Sequence, residues 1–313
     1  MSARLLLGGL KSYLPIGIGR YRGTGGSTSG RYCYSVWLRH LHWIWRSVGD
    51  FAPRRVVEVG PGDSIGVGLA ALLSGADEYT GLDVVAHASA EVNARVLEDL
   101  LVLFRDRAPI PGDDEFPRLV PRLPDPAFPA ARLDGAVLDA RAAGAYADRL
   151  REVVREPGTS GGPVRYHCPW TRESVAPGTA DLVISHVALQ DMDSAPSGDA
   201  LETAIAAMAG WLAPGGVMSH QIDFSCPGGS PWNHHWRYGD AAWRLIRGRR
   251  PYYVNRAALS DYLALIERVG CRVAGVEPVR APGLGRDQVA KRFRGRTDED
   301  FDTAAALIVA VRE

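Results

Sequence analysis

The stretch Val56-Val-Glu-Val-Gly-Pro-Gly-Asp-Ser-Ile-Gly66 predicts a strand, a glycine-bearing turn and the start of a helix. Gly60 and Gly62 allow the backbone to turn tightly and to approach a ligand without a Cβ in the way. Ser64 or Asp63 can cap the helix that follows, whose first N–H groups face the ligand. The turn therefore predicts a small-molecule site, although on its own it is also compatible with glycines that serve only the backbone.

The carboxylate before the turn and the spacing of the glycines distinguish two kinds of cofactor. Glu58 suits the ammonium end of an amino-acid-like cofactor, whereas a dinucleotide site leaves its helix N-terminus open to pyrophosphate. The glycines follow G-x-G-x-x-x-G, not the G-x-G-x-x-G of dinucleotide folds. A nicotinamide-dependent oxidoreductase on a similar sheet is the alternative, and the Pro-Gly-Gly turn at Pro214 also argues against it.

Asp83 ends the next apolar run, Tyr79-Thr-Gly-Leu-Asp83. An acidic residue about 20 positions beyond a glycine turn can bind both hydroxyls of a ribose. Any nucleoside cofactor would use such a group, so Asp83 supports nucleoside binding without choosing a reaction.

Short β-branched runs alternate with helical patterns along most of the chain, which is typical of parallel strands joined by helices. We predict an α/β fold with a doubly wound, mostly parallel seven-stranded sheet that ends in an antiparallel strand pair. The predicted strands are 55–59, 79–85, 164–168, 180–185, 216–224, 272–276 and 304–311. The predicted helices are 65–73, 89–104, 136–154, 201–211 and 255–269.

Three segments lie outside this plan. Residues 1–50 are predicted to form a helical lid segment before the main domain, 51–313. Residues 105–163, rich in proline, form an insertion before the third strand, and residues 225–255 form a substrate loop.

Composition excludes several classes of protein. Lys plus Arg and Asp plus Glu both total 36 in 313 residues, so no net charge favours nucleic acid as a partner. The four cysteines are far apart and show no CxxC spacing, which suits a reducing cytoplasm. No stretch approaches the ~20 apolar residues of a membrane span. The first residues lack a signal-peptide core, so a cytoplasmic location is expected.

With two further motifs, the chain resembles the class I S-adenosylmethionine-dependent methyltransferases. Ala180-Asp-Leu-Val-Ile-Ser-His186 is similar to the family's fourth strand, and Trp211-Leu-Ala-Pro-Gly-Gly216 to the turn before its fifth. The resemblance implies that S-adenosylmethionine is the cofactor. The cofactor-binding residues that it implies are Glu58, Gly60, Pro61, Gly62, Ser64, Asp83, Trp170, Ser185 and His186.

Two departures from the family pattern bear on the site. Cys168-Pro-Trp170 stands where the family often has an acidic residue after its third strand, and Trp170 could stack on the adenine. No Asn-Pro-Pro-Tyr-like sequence follows His186, which argues against methyltransferases that act on the amino groups of bases or glutamine.

The candidate catalytic residues are His186, His220 and Asp223, at predicted strand ends. A neutral imidazole can accept the acceptor's proton near pH 7. In a strand of period two, His220 and Ile222 share one face, and Gln221 and Asp223 the other. The candidate substrate-binding residues are Trp232, His234, His235 and, from the first segment, Tyr34.

A zinc site at His220, Cys226, His234 and His235 is not expected, because their spacings match no common zinc pattern and a glycine-rich loop need not hold them together.

The predicted function is O-methylation of a small hydroxyl acceptor, such as a sugar, a glycan precursor or a secondary metabolite. Besides the oxidoreductase, the alternative is a catalytically silent fold member that binds a partner through the proline-rich insertion. The sequence predicts neither the acceptor nor the oligomeric state.

Overall fold

The computed structural model describes residues 3–13, 26–155, 162–192, 200–250 and 253–313. Its strands are β1 (Arg55–Val59), β2 (Glu78–Leu82), β3 (Val164–His167), β4 (Ala180–His186), β5 (Leu212–Asp223), β6 (Cys271–Arg280) and β7 (Thr303–Arg312). Its α-helices are α1 (Ala3–Lys11), α2 (Gly30–Val48), α3 (Gly66–Leu73), α4 (Ala90–Arg105), α5 (Gly135–Arg141), α6 (Gly144–Val153), α7 (Ala200–Trp211), α8 (Asp240–Arg247), α9 (Leu259–Arg268) and α10 (Asp298–Asp302). Part of the predicted lid, 14–25, and the end of the predicted insertion, 156–161, lie outside the described residues.

The seven strands form one sheet in the order β3-β2-β1-β4-β5-β7-β6. The first five strands in the chain run parallel to one another, and β7 runs antiparallel between β5 and β6. Helices cover both faces, with α2, α3 and α4 on one and α7 and α9 on the other. The predicted doubly wound, mostly parallel seven-stranded sheet is confirmed.

Several predicted elements have different limits in the structure. β2 ends at Leu82 rather than at residue 85, β6 extends to Arg280 rather than to 276, and α9 begins at Leu259 rather than at residue 255. β5 begins at Leu212 rather than at residue 216, and the register with β4 shifts between Ala180 and Leu182, so a bulge accommodates the Pro-Gly-Gly turn. The predicted helix 136–154 is two helices, α5 and α6, because the backbone between them is not helical: Ala143 is extended and Gly144 has a φ of 61°.

The first segment forms part of the core. The aromatic rings of α2, among them Tyr34, Trp37 and Trp43, are buried against α3, α4 and the sheet. Among the described residues of this segment, 26–29, Tyr32 and Val36 border a cavity. Within the described residues, none of the helices has both the length and the apolar character needed to cross a bilayer.

The strand order places a crevice at one edge of the sheet. From β1 the chain continues outward to β2 and β3, and it then returns to the other side of β1 as β4. The carboxyl ends of β1 and β4 are therefore adjacent, and the connections that leave them diverge. Ligands of open α/β sheets bind at such a switch point.

Candidate functional site

A cavity of about 1300 Å³ lies at the carboxyl ends of β1, β2, β4 and β5. Typical small-molecule pockets measure about 300–1,000 Å³, so the cavity has room for a cofactor and a second molecule. Residues of the sequence-predicted site that line it are Glu58, Gly60, Pro61, Gly62, Asp83, Trp170, His186 and Asp223.

The turn after β1 needs glycine at residue 60 for two reasons. Gly60 and Gly62 have φ values of 78° and 75°, which L side chains rarely adopt. A Cβ at Gly60 would also lie 2.6 Å from the Cβ of Ala188, in the connection after β4. The backbone N–H of Gly60 donates to the carbonyl of Leu82 at 2.8 Å, which ties the turn to the end of β2.

Asp83 holds the turn while its side chain faces the cavity. Its Oδ2 accepts a hydrogen bond from the Gly62 N–H at 3.3 Å, and its Oδ1 accepts one from the Val84 N–H at 2.8 Å. Burial raises the pKa of Asp83, and these N–H groups counter that shift because they stabilise the carboxylate. The carboxylate is thus fixed in orientation beside the glycine turn.

Within the described part of the chain, Glu58 is a buried carboxyl with one hydrogen-bond partner. Its side chain is 2% exposed, and the hydroxyl of Tyr79 on β2 donates to its Oε2 at 2.7 Å. Burial raises the pKa of Glu58 to about 7, against the opposing effect of the Tyr79 hydrogen bond, and the charge of Asp83 adds to the rise. A cation in the cavity would favour the ionised form, so Glu58 suits an ammonium group.

His186, at the end of β4, is partly buried and is connected to a chain of polar side chains that leads into the core. Its Nδ1 lies 3.3 Å from Nε2 of His40, and Nδ1 of His40 lies 2.8 Å from the hydroxyl of Ser219 on β5. Burial lowers the pKa of His40 to about 3 and that of His186 well below the usual range, so both rings are neutral at pH 7. Because Nδ1 of His186 is occupied, Nε2 is the nitrogen available to a ligand.

The part of the cavity formed by β5 and the short 3-10 helix after β4 carries amide and carboxyl groups. The Oε1 atoms of Gln190 and Gln221 are buried without a hydrogen-bond partner among the described residues. Burial and then the charge of Asp223 raise the pKa of Asp191 to about 6. This part of the cavity therefore favours a polar molecule that donates hydrogen bonds.

The outer wall combines α2 with the insertion. Arg31 forms hydrogen bonds through Nε and Nη2 to the carboxylate of Glu115, the shortest measuring 2.6 Å. The ring of Tyr32 meets that of Phe116 edge-on, with centroids 5.5 Å apart. Tyr32, Glu115 and Phe116 all line the cavity, so the insertion encloses it from the side of α2.

Several predicted site residues lie away from the cavity. Ser64 accepts from the Gly66 N–H at 3.1 Å and donates to the carbonyl of Ser27. Ser185 and His220 are buried partners, with the Ser185 hydroxyl 2.8 Å from Nδ1 of His220.

The four predicted substrate residues are also outside the cavity lining. The hydroxyl of Tyr34 donates to the carbonyl of Ala108 at 2.6 Å, and Nε1 of Trp232 donates to the carbonyl of Ala281 at 3.0 Å. His234 and His235 are buried together in the loop after β5. Cys226 joins them there, so three of the four residues considered for a zinc site converge. The spacing of these residues in the sequence did not predict that.

Other residues of the site were not identified from the sequence. The alternation along the strand placed Gln221 on the same face as Asp223, and this pattern could have identified Gln221 as a lining residue. Asp191 and Gln190 are in a short 3-10 helix, and His40 reaches His186 across 146 positions, so no local pattern indicates them.

Comparison with known proteins gives structural similarities at low sequence identity. An S-adenosylmethionine-dependent methyltransferase from Mesorhizobium loti is 14% identical, with 89% of this chain and 98% of that chain covered and a TM-score of 0.44. Phosphoethanolamine N-methyltransferase 2 of Haemonchus contortus, in complex with S-adenosyl-L-methionine, is 13% identical, with 90% and 56% covered and a TM-score of 0.43. No protein-family model matches the sequence, and no curated protein matches it. The function is therefore inferred from the residues of the cavity.

Proposed function

We propose that the protein is an S-adenosylmethionine-dependent methyltransferase that methylates a hydroxyl of a small acceptor. The observation that carries the proposal is the position of Glu58 and Asp83, two buried carboxyls beside the Gly60–Gly62 turn at the switch point of the sheet. A cofactor with an ammonium group and a ribose matches these two groups in charge and in hydrogen bonding.

Each half of the cofactor has candidate partners in the chain. Glu58 would hold the ammonium group, and its ionised form would be stabilised by that charge. Asp83 would accept from the ribose hydroxyls, since its oxygens are already oriented by backbone N–H groups. Trp170, at the exit of β3, offers a ring face for the adenine. When bound, S-adenosylmethionine supplies an electrophilic methyl group that leaves its sulfonium as the acceptor attacks.

His186 is the candidate base for a hydroxyl acceptor. If His40 donates from Nδ1 to Ser219, its Nε2 accepts from Nδ1–H of His186, and the lone pair of His186 is then on Nε2. That nitrogen can take the hydroxyl proton as the acceptor oxygen forms its bond to the methyl carbon. His40 and Ser219 are then positioning residues, because they set the tautomer of His186.

One observation favours a second candidate, N-methylation of an amine. Asp191 and Asp223 bring two carboxyls to the same cavity, and the charge of Asp223 raises the cost of ionising Asp191. A cationic acceptor would relieve that repulsion. Polyhydroxy acceptors also suit the pair, since carboxylates accept hydrogen bonds from sugar hydroxyls.

A methyl-transfer screen distinguishes these proposals. The protein is incubated with isotopically labelled S-adenosylmethionine and a small-molecule extract, and tandem mass spectrometry assigns the label to oxygen or nitrogen. Asp83→Ala is expected to abolish labelling. Asp181→Asn, on β4 at the opposite edge of the sheet, is the control that should label normally. Label on oxygen supports the proposal, label on nitrogen supports the second candidate, and no label with any fraction favours a catalytically silent protein.

A further inference from the structure

The loop after β5 gathers three metal-ligating side chains outside the cavity. Cys226, His234 and His235 are all buried, and one potential ligand atom of each lies within 4.8 Å of those of the others. Cys226 begins the loop, and the histidines begin a short 3-10 helix, His234–Arg237. The loop therefore returns to its own start at this cluster.

The imidazoles have nitrogens that the protein itself leaves unpaired. Nε2 of His234 and both ring nitrogens of His235 are buried without a hydrogen-bond partner among the described residues. The carbonyl of Trp232, which acts on the pKa of His235, is outside hydrogen-bond geometry. A buried polar group without a partner costs about 1–3 kcal/mol, so three such atoms in one cluster indicate a ligand.

His234 is already oriented as a ligand. Its Nδ1 lies 3.2 Å from the carbonyl of Pro231, an acceptor that places the proton on Nδ1 and the lone pair on Nε2. Metal-bound histidines commonly have their other nitrogen held in this way. A Cβ at Gly229 would lie 2.3 Å from Nε2 of His234, so only glycine fits beside this imidazole.

The donor set of the cluster also suits a metal, because one thiol sulfur and two imidazole groups converge in a buried site. A coordinated thiol loses its proton, and one thiolate with two imidazoles is a ligand set that zinc prefers.

We propose that Cys226, His234 and His235 bind a divalent zinc ion. Binding forms one metal–sulfur and two metal–nitrogen bonds and releases the thiol proton to solvent. The fourth tetrahedral position is left for water, as expected where the protein supplies three ligands. The ion would join the start of the loop, Cys226, to its 3-10 helix and so stabilise the loop beside Trp236 and Trp243, whose rings contact His235.

The test uses metal binding as its readout and needs no methyltransferase activity. Metal-free full-length protein is titrated with Co²⁺, which reports thiolate ligation by charge-transfer absorption, and with Zn²⁺ while thermal unfolding is followed. We expect one equivalent of Co²⁺ to give the thiolate band, Zn²⁺ to displace it, and Zn²⁺ to raise the Tm. Cys226→Ser should lose the band and the rise in Tm. Cys271→Ser, at a buried cysteine outside the cluster, should keep both.

The wild-type titration decides the proposal even if Cys226→Ser fails to fold. Folded wild-type protein that gives no thiolate band and no rise in Tm with Zn²⁺ would overturn it. A band that persists in folded Cys226→Ser would also overturn it, because the ligand would then be another cysteine. Either result leaves the methyltransferase proposal unchanged, since the cluster is not part of the cavity lining.

Discussion

The hydroxyl of Tyr79 on β2 donates a 2.7 Å hydrogen bond to Oε2 of Glu58 on β1. The two strands are parallel neighbours, and the bond is buried. It opposes the rise in the Glu58 pKa that burial causes, because it stabilises the carboxylate more than the carboxylic acid. Tyr79 therefore helps to keep Glu58 ready to bind a cation.

Tyr79→Phe is expected to weaken binding of S-adenosylhomocysteine about tenfold, since a hydrogen bond to a charged group contributes about 1.5–3 kcal/mol. The ring is retained, so the packing against Gly68 is preserved. Calorimetric titration measures the change. Tyr146→Phe, on α6, is the matched control, and an equal loss of affinity in both variants would contradict the role given to Tyr79.

Binding of S-adenosylhomocysteine should depend on pH through Glu58. In the free protein the Glu58 pKa is raised to about 7, and the bound ammonium favours the ionised form. Below pH 7 a proton must therefore leave Glu58 on binding, so Kd rises as pH falls, by up to about tenfold per unit. Above pH 7 this contribution to Kd is flat. Glu58→Gln should weaken binding and remove the dependence of Kd on pH below pH 7. If the variant keeps the wild-type pH dependence, a group other than Glu58 causes it.

Gly60→Ala should destabilise the protein by two separate effects. The φ of 78° costs a side chain about 1–3 kcal/mol, and the new Cβ meets that of Ala188 at 2.6 Å. Gly49→Ala is a matched control, because Gly49 has a φ of 83° with no atom within 4 Å of an added Cβ. Denaturant unfolding should show a larger loss for Gly60→Ala, partly restored by Ala188→Gly. Equal losses at the two glycines would mean that the contact with Ala188 is unimportant.

The chain from His186 to Ser219 should affect the chemical step. His186→Ala is expected to lower kcat about a hundredfold, the lower range for loss of a general base. His40→Ala and Ser219→Ala should lower kcat by a smaller factor, about tenfold, with the KM for the acceptor nearly unchanged. His42→Gln, on the same helix as His40, is the control. Unchanged kcat in His186→Ala would exclude it as the base and indicate that alignment alone promotes transfer.

The local part of the site could be predicted from the sequence. The glycine turn, Glu58 and Asp83 are all specified by short spacings, and the structure places all of them at the cavity. The alternation along β5 also predicted that His220 and Asp223 point to opposite faces. Which face borders the cavity depends on how α2 and α7 cover the sheet, and that is a tertiary property. The structure places Asp223 at the cavity and His220 against Ser185.

The long-range part could not be predicted. His40 and Ser219 are 179 positions apart, and they meet only because α2 packs on the face of the sheet from which Ser219 of β5 projects. The loop after β5 was interpreted as a substrate loop from its composition, yet its histidines converge on Cys226 rather than on the cavity. Composition indicated that these side chains were equipped for polar recognition, and only folding determined what they face.

The most direct test of the account is calorimetric titration of S-adenosylhomocysteine and of NADP into the wild-type protein and Asp83→Ala. We expect saturable binding of S-adenosylhomocysteine to the wild type and no heat with NADP. Binding of S-adenosylhomocysteine to Asp83→Ala should be at least about tenfold weaker, because loss of a charged hydrogen-bonding partner typically costs more than about 1.4 kcal/mol. Clear binding of NADP, with no heat from S-adenosylhomocysteine, would contradict the account and identify the cavity as a dinucleotide site.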